Sequence, residues 1–312
     1  MIKDFQMSNP DILVSEVGPR DGLQNIDAVI PTAEKKRWIK AEAQAGVREI
    51  EVGSFVPAKY MPQLADTLEL VSFALAIEDL SVAVLVPNFH GAKAAVEAGV
   101  DKMSIPFSVS ETHCQRNLNR SHEQMFAEID RIIEMLDSQP EGKRPYFEVG
   151  LSTAFGCSLE GKIADQKIVA IADKVMQSGC DEVGLSDTTG SANPQQVRHL
   201  IRLVRSVVGD DKLTGVHLHN TRGLGLANAL AALEEGITTI DSSLGGLGGC
   251  PAAPGASGNI VTEDLVFMLE SMGLSTGIDI HKLLVVRETL AEAIPQESLF
   301  GFTADAGLPL GY

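Results

Sequence analysis

The sequence predicts an α/β fold, a single (β/α)8 TIM barrel with a C-terminal helical extension, and three observations carry that prediction. Eight short apolar runs alternate with helical stretches along the chain. A phrase in which a helical run ends at glycine and a short apolar strand follows recurs at Gly46, Gly99, Gly179 and Gly236. No linker interrupts the alternation over 312 residues, a length that suits one large barrel. An open doubly wound sheet is the competing architecture. It wants a glycine fingerprint after the first strand, and Gly18-Pro19-Arg20-Asp21-Gly22 does not provide one.

Taken in order, the first strand is residues 12–17, and the second, 48–52, follows the Gly46 cap. The third is 82–86, and the fourth, 102–106, follows Gly99. Ser121-His122-Glu123-Gln124 reads as a capping box opening a helix ahead of the fifth strand, 146–151. The sixth strand, 182–186, follows Gly179, and Asn193-Pro194 places an N-cap before proline at the first helical position. The seventh, 214–218, is followed by the eighth, 239–242, after Gly236. Most of these runs are apolar throughout, as strands buried on both faces should be. Residues 245–258, rich in Gly, Ala, Pro and Ser, then form a loop at the catalytic face, and from Thr262 a closing helix and helical tail complete one domain over 1–312. The barrel covers about 10–272 and the tail about 273–312.

Composition narrows the function. Hydrophobic residues make up 44% of the chain, yet no run approaches 18 uncharged apolar residues, so no membrane span is expected. The opening residues lack the order of a secretory signal and the Arg-rich character of a transit peptide, which predicts a cytoplasmic protein. A net charge of −17 argues against nucleic acid and anionic membrane as partners. An anionic substrate must then be held by a few local Arg or Lys residues. Cys114, Cys157, Cys180 and Cys250 lie far apart, which argues against a disulfide framework or a zinc knuckle.

The most informative stretch is Val216-His217-Leu218-His219-Asn220. Two residues apart on a strand, both imidazoles point to one face, at the strand end where barrel active sites lie. Other strand ends carry Glu16, Arg20 and Asp21, then Glu51 and Ser54, then Asp187 and Thr188, with Cys250 and Asn259 after the eighth strand. Asp21, His217, His219 and Asn259 supply two nitrogens and two oxygens with positions left open, a set suited to Mg2+, Mn2+ or another octahedral divalent ion. Some of these residues also have plainer readings. Glu51 is a core carboxylate paired with Arg20 or a catalytic group, and Asp187-Thr188 orient a ligand or touch substrate. His113-Cys114 sits in a polar stretch suited to a surface or substrate loop. His90, His122, His199 and His281 are expected on the surface, with Cys157 and Cys180 as packing residues.

Glu16-Val17-Gly18-Pro19-Arg20-Asp21-Gly22-Leu23-Gln24-Asn25 resembles the opening signature of the 3-hydroxy-3-methylglutaryl-CoA (HMG-CoA) lyases. Gly245-Gly246-Leu247-Gly248-Gly249-Cys250-Pro251, continuing to Gly255-Ala256-Ser257-Gly258-Asn259, resembles their catalytic cysteine loop. The similarity runs across essentially the whole chain. It implies Asp21, His217, His219 and Asn259 as metal ligands, Arg20 as stabiliser of charge on the thioester oxygen, and Cys250 as proton donor to the departing carbanion. The hydroxyl proton goes to Asp21, Glu51 or a metal-bound water. Gln24, Asp187 and Thr188 fall to the substrate or supporting shell. The resemblance also implies an acyl-CoA substrate and a homodimer.

Four departures bear on the acyl pocket. Ala252 stands where these lyases usually place an aromatic ring, and Asn220-Thr221-Arg222 replaces their common Asp-Thr-Tyr, so that Arg222 contacts an anionic group or covers the rim. Val109 stands where Ala is usual, and the tail carries no cysteine. The expected reaction is retro-Claisen cleavage of HMG-CoA to acetyl-CoA and acetoacetate. The alternatives are a lyase of another 3-hydroxy-3-alkyl diacyl-CoA, such as citramalyl-CoA or a longer branched glutaryl-CoA, a Claisen-type acyl transferase, and a non-catalytic barrel scaffold.

Overall fold

Eight parallel strands close into a barrel in simple sequence order, with β1 (Leu13–Glu16) pairing both β2 (Glu49–Ser54) and β8 (Thr239–Ser242). The computed structural model describes residues 10–248 and 258–312. Between those strands run β3 (Ser81–Leu85), β4 (Lys102–Ser108), β5 (Tyr146–Ser152), β6 (Glu182–Ser186) and β7 (Gly215–His217). The helices that return the chain are α1 (Thr32–Ala45), α2 (Thr67–Ala74), α3 (Phe89–Ala98), the pair α4 (Glu111–Leu118) and α5 (His122–Asp137), then α6 (Asp165–Ser178), α7 (Pro194–Val208) and α8 (Gly225–Glu234). The barrel and all eight strand positions are as the sequence predicts.

Local signals act as expected. Gly46, Gly99 and Gly179 end their helices in the left-handed region, where a side chain is strained. Ser121 and Gln124 form the reciprocal capping box of α5, and the Asn193 side chain caps α7.

The strand faces depart from expectation. Their outward residues (Ile50, Val52, Val84, Ile105, Phe107, Val149, Leu185) are fully buried against the helices. Each such side chain stabilises the fold by about 1.5–3 kcal/mol. The inward face is polar instead of apolar. Lys102 Nζ reaches Glu148 at 2.9 Å and Glu49 at 3.3 Å across the interior. Ser104 Oγ lies 3.3 Å from Glu51, and Glu182 accepts from Thr214 and Tyr146. Small residues at Gly150, Gly184 and Gly215 make room for these groups; a Cβ at Gly184 would collide with the Glu148 carboxylate. Buried charges in close pairs replace the branched aliphatic layers common in such barrels.

Beyond the barrel, α9 (Thr262–Ser271), α10 (Ile280–Ala293) and α11 (Phe302–Ala306) pack along its side. Asp279 N donates to Ala45 O at the end of α1, Asp264 accepts from the backbone of Phe302 and Thr303, and Arg287 pairs with buried Glu263 at 2.9 Å.

Candidate active site

Arg20 and Asp21 sit on one π-helical turn, Gly18–Gly22, directly after β1, where Asp21 N and Gly22 N both donate to Val17 O. The turn is tight because its underside is filled. A Cβ on Gly18 would stand 2.5 Å from Glu16 Oε1 and 2.9 Å from the Trp38 ring, so glycine is required by close approach. Glu16 Oε1 accepts from Gly18 N at 2.8 Å and Leu244 N at 3.0 Å, while Oε2 accepts from Thr262 Oγ1 at 2.6 Å. One buried carboxylate thus ties together the loop after β1, the loop after β8 and the start of α9. Burial pushes Glu16 up to about 8, although those hydrogen bonds favour its charged form.

The seventh strand ends at His217, one residue earlier than predicted, and His219 continues the extended chain. Their rings still meet on one face, with Nε2 atoms 3.0 Å apart. Asn259 reaches them because residues 258–262 return over the strand ends. His219 and Asn259 form an antiparallel bridge, Asn220 N donates to Gly258 O at 2.7 Å, and Ser243 bridges Val261.

The four residues named from sequence therefore converge. Ligand atoms of Asp21, His217 and His219 all lie within 4.8 Å of one another. Asn259 Nδ2 donates to Asp21 Oδ2 at 2.7 Å. The buried Asn259 Oδ1 has no hydrogen-bond partner among the described residues. An orphaned buried acceptor beside a carboxylate and two imidazoles is what a divalent cation satisfies, so the donor set fits one. Burial alone would raise Asp21, but Arg20 and the two histidines hold it far below the ordinary carboxylate range. Burial and the neighbouring His217 lower His219 to about 4, which keeps it neutral and able to ligate.

Asp241 was missed from sequence and belongs to the site. It pairs in register with His217 across β7 and β8, and its Oδ2 lies 3.0 Å from His217 Nδ1. Despite burial, this contact raises the His217 pKa and turns Nε2 toward the cluster.

Arg20 Nε donates to Glu51 Oε2 and Nη1 to Asp21 Oδ1, each at 2.5 Å. Glu51 is thus a buried partner of Arg20 at the inner edge of the site. Burial raises its pKa against the pull of Arg20. Gln24 Nε2 donates to Asp21 Oδ1 at 2.6 Å and so braces a candidate ligand.

Asp187 and Thr188 hold loops. Asp187 accepts from Ser191 N and Ala192 N, and Thr188 Oγ1 accepts from Thr153 N at 2.9 Å. Arg222 Nη1 straps the same loop through Thr189 O and Gly190 O, both at 2.8 Å, as a rim residue should. Two surface expectations fail: His122 packs on Phe107 with Nε2 2.8 Å from Ser108 O, and Cys114 is fully buried. Cys250 and Ala252 lie outside the described residues.

Fold and site define a (β/α)8 barrel of enzymatic type, with one cluster among the described residues competent to bind a divalent ion at the C-terminal ends of its strands. The family model described as HMGL-like matches residues 11–290, and the chain belongs to that family. It is 39% identical over 287 residues to the mitochondrial hydroxymethylglutaryl-CoA lyase of Homo sapiens, covering 92% of this chain and 87% of that one. It is 36% identical over 292 residues to the hydroxymethylglutaryl-CoA lyase of Bacillus subtilis, covering 92% and 96%. The structure of an HMG-CoA lyase from Acinetobacter baumannii, in complex with coenzyme A and 3-methylmalate, superposes with a TM-score of 0.88 at 40% identity, covering 96% of each chain.

Proposed function

We propose that this chain is a divalent-metal-dependent carbon–carbon lyase that cleaves HMG-CoA to acetyl-CoA and acetoacetate. The observation that carries the reading is the convergence of the Arg20–Glu51 pair with Asp21, His217, His219 and Asn259 at one barrel mouth, in a chain of the HMGL-like family. Those last four would hold Mg2+ or Mn2+. When bound, such an ion supplies Lewis acidity that eases deprotonation of an alcohol.

The remaining chemistry falls to side chains. The C3 hydroxyl must lose its proton, its oxygen pair forms the ketone of acetoacetate, and the C2–C3 electrons collect on the thioester as an enolate. Glu51 is the better proton acceptor of the two carboxylates in question, because burial raises it while Asp21 is strongly depressed. Arg20 spends Nε and Nη1 on those carboxylates, leaving its remaining donors for the enolate oxygen. The enolate carbon takes its proton from the Cys250 thiol. Gln24 and Asp241 position the cluster, and Asp187 and Thr188 position the loops around it. The acyl-CoA binds a domain in which barrel (about 10–272) and tail (about 273–312) work as one, in a cytoplasmic homodimer.

The test is acetoacetate release from HMG-CoA with Mg2+ or Mn2+, with an EDTA control and Cys250→Ala. Metal-dependent cleavage that collapses in the variant supports the reading. Absence of cleavage by protein that still binds metal overturns it.

A further inference from the structure

The barrel rim has a second polar station, on the wall away from the metal-ligand candidates. Lys102 and Ser104 of β4 face inward, since their side chains meet Glu49, Glu148 and Glu51 inside the barrel. Strand side chains alternate, so Pro106 and Ser108 share that face, and Ser108 is its topmost residue. The climb from Ser104, beside Glu51, to Ser108 is four residues, about 13 Å at about 3.3 Å each. Ser108 therefore stands at the rim of the barrel, at the C-terminal end of β4 and on the same inward face as Ser104.

Two imidazoles fix Ser108. His113 Nδ1, from the first turn of α4, lies 2.7 Å from its hydroxyl, and His122 Nε2, from α5, lies 2.8 Å from its carbonyl. Ser110 holds the turn between them, accepting from His113 N at 3.1 Å and from Cys157 Sγ at 3.1 Å. Ser108 is fully buried whereas His113 is half-buried, and His113 Nε2 has no hydrogen-bond partner among the described residues.

We propose that the Ser108–His113 pair is a binding contact for the amide-bearing arm of the thioester substrate, His113 Nε2 exchanging one hydrogen bond with an amide of that arm while Ser108 fixes the ring. The proposal rests on the acyl-CoA reading above and adds its contact for the arm. Burial and Arg116 lower the pKa of His113, so the ring is neutral near pH 7. A neutral imidazole with one free nitrogen suits an amide better than a carboxylate or phosphate, which call for charge-assisted partners.

The experiment compares wild type, His113→Ala, His113→Gln and Ser108→Ala on HMG-CoA and on the ethyl thioester of the same acyl group, which lacks the amide arm. One neutral hydrogen bond predicts a rise of about three- to tenfold in KM for the CoA thioester in His113→Ala, with most of kcat retained. His113→Gln recovers part of the loss, Ser108→Ala gives a smaller rise, and kcat/KM for the ethyl thioester stays within about twofold. An unchanged KM for HMG-CoA in His113→Ala, or an equal loss on both thioesters, overturns the proposal. Should wild type cleave neither thioester, the lyase reading fails separately. Calorimetric affinity for free coenzyme A then decides this contact, a several-fold weakening in His113→Gln-rescuable fashion supporting it and equal affinity overturning it.

Discussion

Replacing Asp241 by alanine removes the acceptor that lies 3.0 Å from His217 Nδ1 and leaves the coordinating face of the ring unaltered. Loss of such an outer partner weakens metal binding about 10–100-fold, because the imidazole loses both its fixed tautomer and its orientation. At a free Mn2+ concentration about 100 times the wild-type Kd, binding stabilises the fold by about 2.7 kcal/mol. After a hundredfold loss the same concentration equals Kd, and the stabilisation drops to about 0.4 kcal/mol. With roughly 2–4 °C per kcal/mol for domains somewhat smaller than this one, the metal-induced rise in Tm shrinks from about 5–10 °C to about 1 °C. Thermal melts with and without Mn2+, alongside direct titration of the ion, read this without substrate. Asp241→Ala protein that keeps the full metal-induced shift would refute the role given to Asp241, and Asp241→Asn, which retains an acceptor oxygen, should fall between the two.

Three further outcomes follow from buried groups. Gly18→Ala pushes a methyl to 2.5 Å from Glu16 Oε1, and should cost about 1–3 kcal/mol in denaturant unfolding and displace the Arg20–Asp21 turn, so that metal affinity falls with it. Burial raises Glu16 to about 8 and Glu263 to about 7 from an unfolded value near 4.5, so the stability they contribute is full below about pH 4.5 and is lost as pH climbs through 7 to 8. Tm should drop by several degrees between pH 6 and pH 9 and drop less in Glu263→Gln, whereas a flat or rising profile contradicts the assignment. Lys102→Met strands Glu49 and Glu148 without their shared cation and should destabilise by about 3–5 kcal/mol, with part of the loss returned by adding Glu148→Gln.

The metal-ligand candidates were legible because each signal was local. Two histidines two residues apart at a strand end share a face whatever the neighbouring strands do, and the glycine caps mark each helix-to-strand junction. Asp241 was illegible for the opposite reason. Its contact with His217 depends on the register between β7 and β8, which neither strand specifies alone. The polar interior was misread because charge in a strand suggests exposure. Glu49, Lys102 and Glu148 come from three different strands, and only their mutual neutralisation makes burial tolerable. The period-two signal was present in Glu49-Ile50-Glu51 and Lys102-Met103-Ser104, with polar residues on one face and apolar on the other. His122 escaped likewise: without ligand-like neighbours in sequence it reads as a surface residue, yet its ring lies against Phe107 of β4.

Glu16 shows how the distant parts of the site are held in one geometry. Asp21, the histidine pair and Asn259 come from three separate stretches, and the return at 258–262 must stay in register with the loop after β8 and the turn after β1. Glu16 lies beneath that junction with Gly18 N and Leu244 N on one oxygen and Thr262 Oγ1 on the other, and Thr262 Oγ1 in turn sits 2.9 Å from Ser242 Oγ. A glutamine there, with its carbonyl oxygen on Gly18 N and Leu244 N, would turn an amide donor to Thr262 Oγ1 and so reverse the direction of that bond. The charged form is costly to bury, as the raised pKa shows, yet the two oxygens of this side chain reach both sides of the junction. The buried carboxyl is therefore placed where its two-sided bonding holds the Arg20–Asp21 turn, the loop after β8 and the return carrying Asn259 together, and the cost of burying its charge is exchanged for position.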